Sequence, residues 1–139
     1  MRKILLNIVF FAFIVFNAQE ITGKWKTIDD KSGETKSIIE IFEKNGTFFG
    51  KVVEIFNKKK RDALCEKCVE PDKNKPVLGM VIIKNMKKNK AVYEDGTITD
   101  PENGKMYSCS ITPKKNKLEV RGYLGISMFG RSQTWEKVE

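Results

Sequence analysis

Cys65 and Cys68 stand three residues apart as C-x-x-C, and Cys109 stands by itself. That spacing suits three kinds of chemistry. The first is a local disulfide that staples the surrounding segment, as an oxidising compartment favours. The second is thiol redox exchange, which needs the pair at a helix start beside a strand so that the attacking thiol is acidified. Here the pair lies in a charged, loop-like stretch instead. The third is zinc, whose structural sites want four ligands, whereas the chain has three cysteines and no histidine. We adopt the disulfide Cys65–Cys68, keep a thiol redox protein as the alternative, and expect no metal. Cys109 alternates with Ser108 and Ser110 and reads as a small buried strand residue.

The lack of histidine also removes Ser-His and Cys-His nucleophiles. Carboxylates remain: Glu40 between two isoleucines, and Asp100 near Glu102. Asp100 reads as a turn residue bonding its own backbone. A glycosidase-like pair would need two carboxyls across a cleft, and no spacing here implies one. No acid–base set can be named, so we expect no enzyme and no cofactor.

Binding chemistry is better represented. Arg131, Gln133 and Trp135 alternate with Ser132, Thr134 and Glu136, and a period of two places the first three on one face. Arg121 and Tyr123 likewise share a face, opposite Val120, Gly122 and Leu124. An arginine on such a face can stack its guanidinium on an indole and hold a barrel end. Alternatively, it stands in a cavity and holds a ligand carboxylate or phosphate.

The elements that must position these residues read as strands. The alternation of Ile21 to Ile28 points Trp25 inward between Lys24 and Lys26. Ser37 to Glu43 and Thr47 to Phe56 flank Asn45-Gly46, the strongest hairpin signal in the chain. Gly50 marks a bulge or a close contact. Asn57 to Leu78 is long and charged, with both paired cysteines and two prolines, and reads as a binding or stapled loop. Strands resume at Gly79 to Met86, Ala91 to Tyr93 and Thr97 to Thr99, the last two around a second hairpin signal, Asp95-Gly96. Met106 to Thr112, Leu118 to Leu124 and Met128 to Val138 complete the set. Short sequential hairpins predict an all-β, single antiparallel up-and-down barrel of about eight or nine strands with one long cysteine-containing loop. Closure removes exposed edges, and about eight strands can enclose one small ligand.

The first eighteen residues stand outside this pattern. Arg2 and Lys3 precede an apolar run from Ile4 to Phe16, about the length of a signal-peptide core and short for a membrane span. We expect a cleaved signal peptide over 1–18, a barrel domain over 19–139, no transmembrane segment in the mature chain, and a periplasmic or secreted location. Without the leader the net charge falls from +8 to +6. The remaining lysines cluster at turns, as in Lys58-Lys59-Lys60-Arg61, without interleaved aromatics, which disfavours nucleic acid as a partner.

Gly23-Lys24-Trp25 with a late arginine resembles the lipocalin signature, in which Gly23, Trp25, Arg131 and Trp135 would close the barrel. The chain more closely resembles the family of small secreted bacterial proteins known as domain of unknown function 2147. The match rests on Gly23-Lys24-Trp25, Cys65-Glu66-Lys67-Cys68 and Asp100-Pro101-Glu102-Asn103-Gly104-Lys105 with Tyr107. Arg121-Gly122-Tyr123-Leu124-Gly125 and Gly130-Arg131-Ser132-Gln133-Thr134-Trp135 complete it, with Ser132 where threonine is usual. The resemblance implies a lipocalin-like barrel, export, and no catalytic residues to carry over. The function expected is a small-molecule carrier holding a lipophilic or anionic ligand, with Trp25, Tyr107, Arg121, Tyr123 and Gln133 as candidate lining. The alternative is a module of the cell envelope that binds a protein partner and needs no cavity.

Overall fold

The computed structural model describes residues 4, 7–12, 20–125 and 130–138. The expected cleavage point near Ala18 and the start of the last strand at Met128 lie outside them. Eight strands form one antiparallel barrel: β1 Gly23–Ile28, β2 Thr35–Lys44, β3 Thr47–Ile55, β4 Val81–Asn89, β5 Val92–Thr99, β6 Met106–Lys114, β7 Lys117–Tyr123 and β8 Arg131–Lys137. Each pairs with its sequence neighbour, and β8 returns to β1 through Trp25↔Lys137 and Lys26↔Glu136 to close the cylinder. Among the described residues no helix is long and apolar enough to cross a membrane.

Alternation dictates which face goes in. On β1, Trp25 and Thr27 are buried while Lys24 is exposed. On β7 the buried residues are Leu118 and Val120. Asn45-Gly46 makes the predicted tight hairpin between β2 and β3, both residues at positive φ (53° and 80°), as a two-residue primed turn requires. At Gly50 an added Cβ would lie 3.0 Å from that of Ile83, and the β3–β4 register shifts there, so the close contact read from the sequence is present.

Asp95-Gly96 does not make a turn, so two of the expected strand segments merge and the barrel has eight strands, within the expected eight or nine. Ala91 to Tyr93 and Thr97 to Thr99 are parts of one strand, β5. The register to β6 passes from Tyr93↔Ile111 to Gly96↔Cys109, which leaves one extra residue on β5. Asp95 takes φ 65°, and a Cβ on Gly96 would meet the Lys84 carbonyl and the Met86 sulfur, both at 2.4 Å. A bulge has the same needs as a hairpin turn, a positive φ and a missing side chain, and the same dipeptide serves both.

The barrel has a plugged end and an open end. At the plugged end Ile21, fully buried, crosses beneath the strands. Its carbonyl accepts the Trp25 indole N–H at 2.8 Å, and its backbone meets the Tyr93 hydroxyl. Tyr93 stands edge-on to Phe48, centroids 4.9 Å apart, with Met86, Ile111 and Leu118 packed in the same cluster. At the open end lie the β1–β2 turn, the long segment 56–80 and the 100–105 turn.

Candidate functional site

The open end leads into a cavity of about 1000 Å³, at the upper end of the roughly 300–1,000 Å³ typical of small-molecule sites. Its depth is apolar because the inward positions of successive strands are Ile39, Val52, Ile82, Ile98, Val120 and Trp135. Gly122, inward on β7, adds no side chain there and leaves room below the mouth. The polar groups are confined to the upper wall and rim, among them Lys36, Lys60, Glu102, Tyr107, Arg131 and Gln133.

Two charged clusters border the mouth. In the first, Glu102 accepts Lys36 at 2.8 Å and lies 3.8 Å from Lys60. The hydrogen bond from Lys36 holds the Glu102 carboxyl below its ordinary value of 4.5, with partial burial opposing. This tie between β2 and the 100–105 turn is therefore present above the ordinary carboxylate range and lost as the pH falls below it. In the second cluster Arg131 forms an ion pair with Asp30, and the Gln133 amide donates to the same carboxylate oxygen at 3.4 Å.

The long segment is stapled by Cys65–Cys68, as expected. Both cysteines are buried because the staple docks on the 100–105 turn. An added Cβ on Gly104 would overlap the Lys67 carbonyl at 1.9 Å, and the Cys65 sulfur lies 3.6 Å from the Pro101 carbonyl. The turn is self-supporting: Asp100 accepts the Glu102 N–H at 2.8 Å, the Asx bond read from the sequence. Asp72 ties the far side of the segment to Lys84 of β4 at 3.0 Å. Thus the C-x-x-C and Asp-Pro-Glu-Asn-Gly motifs, 32 residues apart from Cys68 to Asp100, form one flank of the mouth.

Of the five candidate lining residues, Tyr107 and Gln133 face the cavity. Tyr107 receives the Asn103 amide at 3.2 Å, and the Trp135 indole donates to Gln133 Oε1 at 3.3 Å. Arg121 and Tyr123 do not face it. Their parity is opposite to that of Val120 and Gly122, and Arg121 reaches outward to the Ser132 hydroxyl at 3.3 Å. Trp25 faces inward but belongs to the plug. The barrel-closing clasp of Trp25 with Arg131 that the lipocalin resemblance implied is likewise corrected: the antiparallel register sets Trp25 opposite Lys137, six residues from Arg131. Gly23 and Trp25 stand at the plugged end, Arg131 at the mouth, and buried Trp135 forms cavity wall between them. Sequence reasoning missed Asp30, Lys36, Lys60 and Gly122 as site residues. Only Gly122 left a signal, its shared parity with Leu118 and Val120.

Cys109 points into the core from the same face of β6 as Ile111 and is fully buried. Desolvation pushes its thiol from an ordinary 9.0 up to about 12. Burial of the neutral thiol stabilises the fold in full below pH 9, and that contribution is lost as the pH rises toward 12. Thiol titration at pH 8 is expected to find no reactive group in the native chain and one after unfolding in urea. Among the described residues, no three or more histidine, cysteine, aspartate or glutamate side chains are grouped to hold a metal ion.

A closed eight-stranded meander, plugged at one end and open to an apolar cavity at the other, is the architecture of a lipocalin-like cup. The chain belongs to the family described as uncharacterized protein conserved in bacteria (DUF2147), whose model matches residues 23–137. A solved structure from Helicobacter pylori, protein HP1028, described as belonging to the lipocalin family, is similar at a TM-score of 0.75. It is 22% identical, with 86% of this chain and 84% of that one covered, a likeness that shows the fold. No curated protein matches by sequence.

Proposed function

We propose that this protein is an exported carrier that holds one small amphipathic molecule in its barrel. The apolar body of the ligand would lie along Ile39, Val52, Ile98, Val120 and Trp135, and its polar end would stay among the groups of the mouth. The observation that supports this most is the division of the cavity: about 1000 Å³ with apolar side chains at depth and hydrogen-bonding ones above. Burial of each ligand methylene contributes about 0.8 kcal/mol, so a tail of eight to ten carbons supplies roughly 6–8 kcal/mol toward the costs of association, and the polar contacts at the mouth add to it. In this reading the protein carries its ligand unchanged, and the cysteine pair staples a flank of the mouth.

The test is titration with N-phenyl-1-naphthylamine, an apolar dye whose emission rises out of water. We expect a saturable enhancement at one dye per chain that decanoate or 1-decanol reverses. A linear, non-saturating rise, or one that aliphatic chains leave untouched, would defeat the proposal.

A further inference from the structure

The inward side chains of β8 descend from the mouth in steps of two: Arg131, Gln133, Trp135. Each is oriented by the next. The Trp135 indole N–H holds Gln133 Oε1, which turns the amide nitrogen toward the mouth. There Gln133 Nε2 and Arg131 Nη2 converge on one oxygen, Oδ2 of Asp30. A guanidinium and an amide N–H aimed at one carboxylate oxygen form an acid-binding pair.

Among the described residues the Asp30 carboxylate has no other hydrogen bond or ion pair. The β1–β2 turn is built by Asp29, whose carboxylate accepts the N–H of Lys31 and Ser32, both at 2.9 Å. The Asp29 backbone closes the turn through Gly33 N–H at 2.9 Å and Glu34 carbonyl at 2.8 Å. The Asp30 side chain is free to leave without unmaking any of these bonds. Its ion pair with Arg131 is largely solvent-exposed, 73% and 40% for the two side chains, and such pairs are weak. The other rim cations, Lys36 and Lys60, are both engaged by Glu102.

Resting on the carrier reading above, we propose that Arg131 and Gln133 are the acid-group site of the cavity and that Asp30 is its built-in competitor. The ligand class is then a long-chain acid: an apolar tail ending in a carboxylate, or a phosphate of like reach. On entry the ligand's oxygen takes the place of Asp30 Oδ2, and Asp30 turns out to water.

Calorimetric titration with decanoate and 1-decanol, which share a tail, separates the two levels. Asp30→Ala is expected to tighten decanoate about fivefold and leave decanol unchanged, the most an exposed pair returns. Arg131→Gln is expected to loosen decanoate by about the same factor, again without effect on decanol. Asp62→Asn, which removes an equal charge from the long segment, should leave the acid-to-alcohol ratio as it was. If Asp30→Ala leaves that ratio unchanged, or if Asp62→Asn shifts it equally, the acid site is overturned while decanol binding keeps the carrier reading. If neither compound binds, both fall.

Discussion

Replacing Gly122 by phenylalanine will cost the barrel its ligand and not its fold. Gly122 sits inward on β7 and borders the cavity. An added Cβ there would lie 3.5 Å from Ile98 Cγ2 and from the Tyr107 Cβ, ordinary van der Waals contact. Nor does its backbone adopt a left-handed conformation. A glycine inside a strand weakens it, so a larger residue costs nothing locally, and its ring goes where a ligand would. A ring that displaces three methylenes of an apolar tail removes about 2.4 kcal/mol, roughly fiftyfold in affinity. Dye titration should show that loss, and a thermal melt should show a midpoint unchanged or slightly raised. Undiminished binding in Gly122→Phe would place the dye outside the barrel.

Gly104→Ala will act in the opposite way, damaging the flank of the mouth. Gly104 takes φ 71°, and its missing Cβ is where the Lys67 carbonyl passes. A side chain there brings about 1–2 kcal/mol of left-handed backbone strain. It also forces the cysteine staple off the turn, exposing Cys65 and Cys68. The bonds Cys65 N–H to Lys75 carbonyl and Asn74 N–H to Cys65 carbonyl, each 2.8 Å, belong to the displaced unit. Hydrogen exchange should therefore accelerate by at least about tenfold at these amides, as a loss of 1.4 kcal/mol or more implies. Amides of β2 and β7 should keep their protection. Unchanged exchange across 65–75 would show that the docking of the two motifs contributes nothing to local stability.

The barrel was legible because its signals are local. Alternating burial on β1 and β8, the Asn45-Gly46 hairpin and the small-residue contact at Gly50 follow from positions a few residues apart. Asp95-Gly96 misled because positive φ and an absent Cβ serve a bulge as well as a turn. The distinction lies in Lys84 and Met86 on the neighbouring strand, which alternation does not report. Arg121 and Tyr123 misled for a related reason. Both faces of β7 carry attractive residues, and the choice between them is made by Leu118, Val120 and Gly122 meeting the core. The clasp between Trp25 and Arg131 failed on direction: β8 runs antiparallel to β1, so its first residue lies at the end opposite Trp25. The mouth was least legible. Asp30 meets Arg131 across 101 residues and Lys36 meets Glu102 across 66, pairings that only the closed barrel brings about.

The two tryptophans allow the central claim to be tested within one sample. Trp135 forms cavity wall, while Trp25 is sealed in the plug with its indole N–H on Ile21. In a ¹H–¹⁵N spectrum each indole N–H gives its own resonance. Titration with decanoate is predicted to move the Trp135 signal to saturation at one ligand per chain and leave the Trp25 signal in place. Saturable binding that leaves the Trp135 indole unmoved, or that shifts the two indoles alike, would contradict a ligand held in the cup.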